Sequence, residues 1–438
     1  MLVEFSVQNF TSFNKRQTLS LLASSSTKEN YNEKNTFSIK KFGIEHLLKS
    51  AAIFGANASG KSNLINSFGV LRKIVLESIT TADADNLEDA VPFFLKEDQY
   101  KDPCEFEVSF IYDGNLYRYG ISIVKNIISE EWLYWRKTSR ETLLFHRRNQ
   151  KVEINNRSFA EAKDFVRRED GTLFIEKTKE NVPFISVLAQ FNGAKSGNVI
   201  KWFKRIHVIQ GGIESYGSRS LTINLFETNP TFKNWALEIL SALQIHDVRI
   251  IEEDNDVGDL SESADADLKE AMTKLSIWIK KSRAKRKIIQ IVKKPEGGSQ
   301  EYIMPLMFES DGTKKLLYLL GPIFDVIVKE KILIIDEFDS KFHSLLSRYI
   351  IDLYHKTNLK NSQLLITCHD TNLLTKELLR RDQIWFLEKN NQQESELYSL
   401  LEYKEHYTRK EDSYSKDYLS GKYGAIPLLN SIEDLKCF

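Results

Sequence analysis

The sequence predicts an α/β fold: a mixed sheet, an antiparallel β meander beside it, and a mainly helical insertion. Three observations carry that expectation. The apolar run Ala51-Ala52-Ile53-Phe54 passes through a Gly/Ser-rich turn into Asn63-Leu64-Ile65-Asn66-Ser67-Phe68, which has helical periodicity. A second apolar run, Ile332-Leu333-Ile334-Ile335, ends in two carboxylates, Asp336 and Glu337, as a strand buried on both faces of a parallel sheet can. Between them, segments 105–111, 115–124, 127–134 and 142–146 read as strands of a meander, with Asp113-Gly114 as a hairpin turn.

Taken in order, residues 2–7 alternate as a half-buried strand does, and Gln8 to Phe13 turns into a second strand at 17–22. Residues 24–35 form a polar loop. Gly55-Ala56-Asn57-Ala58-Ser59-Gly60-Lys61-Ser62 then fits G-x-x-x-x-G-K-[ST], a loop that binds phosphates. Gly55 and Gly60 let the backbone turn tightly and approach phosphate oxygens. The loop N–H groups and the following helix N-terminus face the anion. Gly55, Asn57, Ala58, Ser59, Gly60, Lys61, Ser62 and Asn63 are therefore the candidate ATP ligands. Lys61 is suited to the β- and γ-phosphates, and the Ser62 hydroxyl to Mg²⁺. The helix should run to about residue 78, followed by an acidic loop at 80–90.

Arg147, Arg148, Arg167 and Arg168, in or after the meander, read as solvated surface groups. Residues 181–192, 197–208 and 232–243 read as helices. Composition then swings: 252–267 is acidic, 267–279 is a helix, and 280–294 is basic. Adjacent blocks of opposite charge read first as solvated surface and second as a contact for nucleic acid or a partner. The expected domains are 1–175, with the phosphate loop and meander, 176–300, the mainly helical insertion, and 301–438, the second half of the core.

That second half holds the remaining chemistry. The run from Lys331 delivers Asp336 and Glu337 to the C-terminal end of a strand, where open parallel sheets bind ligands. Asp336 is the candidate Mg²⁺ ligand and Glu337 the candidate general base for an attacking water. Leu364 to His369 is another apolar strand ending in a histidine. Glu309-Ser310-Asp311-Gly312-Thr313-Lys314-Lys315 opens a helix, a place for a phosphate at Ser310 and the next amides.

The chain has 438 residues, 42% hydrophobic and 28% charged, with formal net charge +0, so no overall field draws it to nucleic acid or membrane. Cys104, Cys368 and Cys437 are too few and scattered for a disulfide framework, which suits a reducing compartment. The opening Met1 to Phe5 lacks the regions of a signal peptide, and no apolar run is long enough to span a bilayer. The expectation is a cytoplasmic protein with no membrane contact.

The order of these motifs resembles an ABC-type ATPase head. Ser310, Gly312 and Thr313 resemble its signature, in a variant lacking the second glycine. The resemblance implies that they bind the ATP of a second subunit in a head-to-tail dimer. His369 resembles the switch histidine that contacts the γ-phosphate, and Phe338-Asp339-Ser340 the loop that crosses the dimer interface. A glutamine-bearing loop should lie between phosphate loop and signature, with Gln190 as a candidate. With Arg380-Arg381-Asp382-Gln383-Ile384-Trp385-Phe386 and Tyr418-Leu419-Ser420-Gly421-Lys422-Tyr423-Gly424-Ala425-Ile426-Pro427, the chain looks like the abortive-infection ATPases of the AbiL-type/RloA group. These are relatives of the SMC, RecF and OLD-family ATPases, and Asn9 to Phe13 resembles the opening motif of that wider class, near the nucleotide's base. The match covers roughly residues 1–75 and 300–430 and is loose between.

The resemblance implies an ATP-hydrolysing sensor or regulator in an antiphage system, coupled to a separately encoded effector such as a toxin or a Toprim-type or other nuclease. Roughly 70 residues follow His369, too few for a Toprim nuclease on the same chain. A second reading is a DNA-repair or chromosome-maintenance ATPase of RecF/SMC kind that binds DNA. The missing long heptad repeat counts against an SMC protein.

Overall fold

The structure is a computed structural model that describes residues 1–25, 32–79, 87–96, 100–210, 216–254, 285–295, 298, 300–403 and 413–427. The chain divides into two compact units, 1–213 with 325–438, and Glu214–Phe324. The second unit therefore starts and ends later than the 176–300 insertion expected from composition. The reason lies in the helices Phe184–Gln190 and Ala194–Phe203, whose apolar faces join the core of the first unit. Trp202 stacks on Phe110 of the meander with ring centroids 4.0 Å apart.

The first unit contains two large sheets. One has six strands in the order Ile206–Ile209, Ile332–Ile335, Gln363–Cys368, Ser50–Phe54, Ile384–Lys389, Ser395–Ser399. The first five are parallel and the last returns antiparallel. The three central strands are buried at every position, which is why they read as unbroken apolar runs rather than alternations. The other sheet has nine antiparallel strands, in the order 166–169, 172–175, 151–154, 142–148, 127–136, 115–124, 104–112, 2–8, 17–20. Asp113 and Gly114 both take positive φ, 48° and 68°, as the tight hairpin between two of its strands requires.

The helix Lys61–Glu77 shares one core with both sheets. Phe68 of this helix stacks on Phe5 of the nine-stranded sheet at 3.7 Å between centroids. Gln363 fastens the opening strand to the parallel sheet, accepting from Leu2 N at 2.6 Å and donating to Leu2 O at 2.9 Å. The phosphate-loop helix is thereby held on a rigid frame.

Arg147 is not the solvated surface group that strand alternation suggests. It is fully buried, and its guanidinium donates to Glu131 at 3.5 Å and to the carbonyl oxygen of Val182 at 2.8 Å. Glu131 also accepts from Phe184 N at 2.7 Å and Ile185 N at 3.0 Å, at the start of the helix Phe184–Gln190. Burial pushes the Glu131 pKa up, while Arg147 and the two amides oppose it. A buried carboxylate thus ties meander to helix through groups that satisfy its lone pairs.

The second unit has the helices Tyr216–Thr228 and Pro230–Leu240, and a three-stranded antiparallel sheet of Asp247–Asp254, Lys285–Lys293 and Tyr302–Pro305. It ends within the long helix Asp311–Lys329. Phe226, Phe232 and Phe324 pack edge to face, 4.9 and 5.2 Å apart in sequence-order pairs. In the described part of the basic segment, Lys287 pairs with Glu227 at 2.6 Å, Lys293 with Glu309 at 2.5 Å, and Lys294, just past the strand, with Glu301 at 3.0 Å. The expected helix at 267–279 and residues 280–284 lie outside the described residues. Among the described residues, no helix is long and apolar enough to cross a membrane.

Candidate functional site

The register of the parallel sheet decides what meets what. Ile335 pairs with Ile366 and Cys368 with Phe54, so three neighbouring strands end at one edge. From those ends leave Gly55 to Ser62, Asp336 with Glu337, and His369. The sequence-predicted candidates of the first unit therefore come together, although some 275 residues separate Lys61 from Asp336 (336 − 61).

The loop is shaped for an anion. Gly60 precedes the helix with φ 108°, and a Cβ there would stand 2.4 Å from Ser395 Oγ and 2.7 Å from Ser12 Oγ. Gly55 lies so close to the neighbouring strand that a Cβ would meet Leu387 O at 2.2 Å. Ala58 is left-handed at φ 61°, and it is exposed together with Asn57. Ser59 is buried and its hydroxyl has no protein partner, while Ser395 Oγ donates to Ser59 O at 2.7 Å. Asn63 Nδ2 donates to Ser12 Oγ at 2.8 Å, which joins the loop helix to the turn at Asn9 to Phe13. These glycine-lined amides and the orphaned hydroxyl fit a polyphosphate.

Lys61 is almost wholly buried, and its ammonium donates to Gly55 O at 2.7 Å and Ala56 O at 2.8 Å. Burial brings its pKa down to about 8, with Asp336, Asp339 and Glu337 opposing the drop. Ser62 is exposed at the first turn of the helix, and Asp336 is buried. A hydroxyl and a carboxylate are hard oxygen donors suited to Mg²⁺.

Glu337 sits half-buried in a left-handed turn, φ 50°, which a non-glycine residue holds only when its surroundings impose it. The surroundings are Thr367 and Asp339. Glu337 N donates to Thr367 Oγ1 at 2.7 Å and Phe338 N to Thr367 O at 3.0 Å. Asp339 Oδ2 accepts from His369 N at 2.7 Å and from Asp370 N. The acidic turn and the histidine turn are thus stitched together. His369 reaches solvent, yet partial burial, and next the Lys61 charge, hold its pKa below the ordinary value. Its ring is neutral at neutral pH and able to donate or accept.

Two site residues escape the sequence. Residues 206–209 form a strand rather than the end of a helix, because the run Ile-His-Val-Ile pairs with Ile332–Ile335 at the sheet edge. The helix itself stops at Phe203. Gln210 follows this strand directly and donates to Asn66 Oδ1 of the loop helix at 3.1 Å. It therefore replaces Gln190, which ends the core helix Phe184–Gln190, as the glutamine beside the site. The short, largely apolar run Ile206-His207-Val208-Ile209, ending two residues before Gly211-Gly212, is the available signal. Ser395 carried none, since only the returning hairpin brings it to the loop.

The signature candidates belong to the second unit. Ser310 Oγ accepts from Thr313 N at 3.1 Å and lies 2.9 Å from Thr313 Oγ1, which caps the helix Asp311–Lys329. Gly312 lies in its first turn.

A phosphate loop, a carboxylate pair and a histidine on adjacent parallel strand ends define a domain of the phosphate-loop ATPase class. A family profile described as "AAA domain, putative AbiEii toxin, Type IV TA system" matches residues 50–375, and the chain belongs to that family. No curated protein matches it. Among solved structures it is similar to the SMC head domain from Thermotoga maritima, with 14% identity over 91% of this chain and 98% of that one, and a TM-score of 0.40. An SMC head bound to the C-terminal winged-helix domain of ScpA gives 14%, 91%, 97% and 0.45 in the same order. An SMC head with an extended coiled coil, bound to a ScpA domain from Pyrococcus furiosus, gives 13%, 91%, 96% and 0.36.

Proposed function

We propose that this chain hydrolyses ATP and uses its nucleotide state to restrain or release a separately encoded effector in an antiphage system. The observation that carries the catalytic part is the meeting of Lys61, Asp336, Glu337 and His369 at one edge of the parallel sheet. Gly55 to Asn63 would hold the polyphosphate, and Ser62 with Asp336 would hold Mg²⁺, whose charge would offset that of the phosphates. Lys61 exchanges its two carbonyl partners for phosphate oxygens. Glu337 orients the attacking water and takes its proton. His369, neutral, offers a hydrogen bond to the terminal phosphate, and Gln210 is placed to report on the site's occupancy.

Ser310, Gly312 and Thr313 act on the nucleotide of a second copy, so the working unit is a head-to-tail dimer or a higher oligomer. The antiphage part rests on the family's description and on the motif order shared with the AbiL-type/RloA group. The formal net charge of +0 gives DNA little long-range attraction, which favours a protein effector, such as a nuclease or toxin, over a DNA clamp. The test is co-purification of the Glu337→Gln chain with the products of adjacent genes, with and without ATP. An ATP-dependent complex supports the reading; ATP-dependent capture of DNA, with no protein partner, overturns it.

A further inference from the structure

The hydroxyl of Thr367 occupies the centre of the site, on the apolar run Leu364 to His369 in which only the histidine is a candidate ligand. Thr367 is fully buried at the end of the strand Gln363–Cys368, one residue before Cys368 and two before His369. It donates to Asp336 Oδ1 at 2.6 Å and accepts from Glu337 N at 2.7 Å. A hydroxyl has one proton, so accepting from the amide leaves that proton for the carboxylate, and both partners fix its direction. Its own carbonyl takes Phe338 N at 3.0 Å. One residue therefore holds the left-handed turn of Glu337 and orients the Asp336 carboxylate.

We infer that Thr367 is a positioning residue of the ATP site, setting through one hydroxyl both the cation-ligating oxygen of Asp336 and the direction of the Glu337 carboxylate. The inference rests on the ATPase reading above. With Oδ1 engaged, Asp336 presents its other oxygen as the ligand. Without the hydroxyl, the carboxylate rotates and the Glu337 amide loses its buried acceptor, which relaxes the strained turn. A threonine that only filled the strand end would tolerate valine, which has the same shape.

The experiment is Thr367→Val beside Thr367→Ser, with thermal melting to compare folding. ATP affinity is titrated without metal and at a series of Mg²⁺ concentrations. Thr367→Val should raise the Mg²⁺ concentration for half-maximal nucleotide tightening by about ten- to a hundredfold, the usual effect of losing a hydrogen-bond partner of a metal ligand. Metal-free ATP affinity should stay within about twofold, and turnover should fall with the Mg²⁺ effect. Thr367→Ser should restore both to within about threefold. Should Thr367→Val unfold, Thr367→Ala in wild-type and Asp336→Ala backgrounds replaces it. The Mg²⁺ effect should vanish once Asp336 is gone, as coupled groups require. An unchanged Mg²⁺ requirement in folded Thr367→Val, or an equal effect without Asp336, overturns the inference alone. A wild-type chain whose ATP binding ignores Mg²⁺ overturns the ATPase reading and the inference with it.

Discussion

Raising the pH should loosen ATP binding through Lys61. Its ammonium is buried against the loop carbonyls, and burial lowers its pKa to about 8 in the free protein. A triphosphate prefers the charged form, so binding draws on the protonated fraction alone. With a pKa of about 8 that fraction is about nine-tenths at pH 7 and about one-tenth at pH 9, so affinity should fall about tenfold, or ~1.4 kcal/mol. The direction follows from the sign of the shift: the charged form is lost as pH rises through the lowered value. ATP is titrated calorimetrically from pH 7 to 9 at constant ionic strength, for wild type and Lys61→Met. Lys61→Met should bind more weakly at pH 7 and show no such decline, because its side chain does not titrate. A wild-type affinity that is flat to pH 9, or the same slope in Lys61→Met, would refute the reasoning.

Glu337→Gln should reduce turnover by about 10²- to 10⁴-fold with ATP affinity within about threefold, because it removes the base and leaves the phosphate cradle. Hydrolysis at the wild-type rate would sink the assignment. Mixing Lys61→Ala chains with Ser310→Arg chains should restore activity that neither has alone, since each heterodimer keeps one composite site; no activity at any ratio would reject the head-to-tail arrangement or require two intact sites. Glu131→Ala should destabilise the first unit by about 3–5 kcal/mol in denaturant melts, because it leaves the buried Arg147 without its counter-charge and the Phe184 and Ile185 amides without their acceptor. A loss below about 1 kcal/mol would mean that the cluster is wet or relaxes.

Local chemistry made much of this protein legible. A loop that turns on two glycines, and a run of four branched apolar residues ending in acids, encode their strands and their place at strand ends within a few residues of chain. The meander was legible for the same reason: alternation and an Asp-Gly turn are local signals. The misread elements are those whose state depends on distant partners. Residues 206–209 continue a helical pattern until Ile332–Ile335 offers a parallel edge, and only that pairing puts Gln210 beside Asn66. Arg147 reads as surface by composition and is buried because Glu131 and three backbone carbonyls of the turn 179–182 accept from its guanidinium. The helices Phe184–Gln190 and Ala194–Phe203 join the first unit because their apolar faces find its core, which no local pattern announces. Ser395 has no signature at all, and Thr367 lies in a strand that the sequence marks only by its terminal histidine. A hydroxyl becomes functional through what stands within 3 Å of it, and only the register of the parallel strands and the return of the last hairpin decide that.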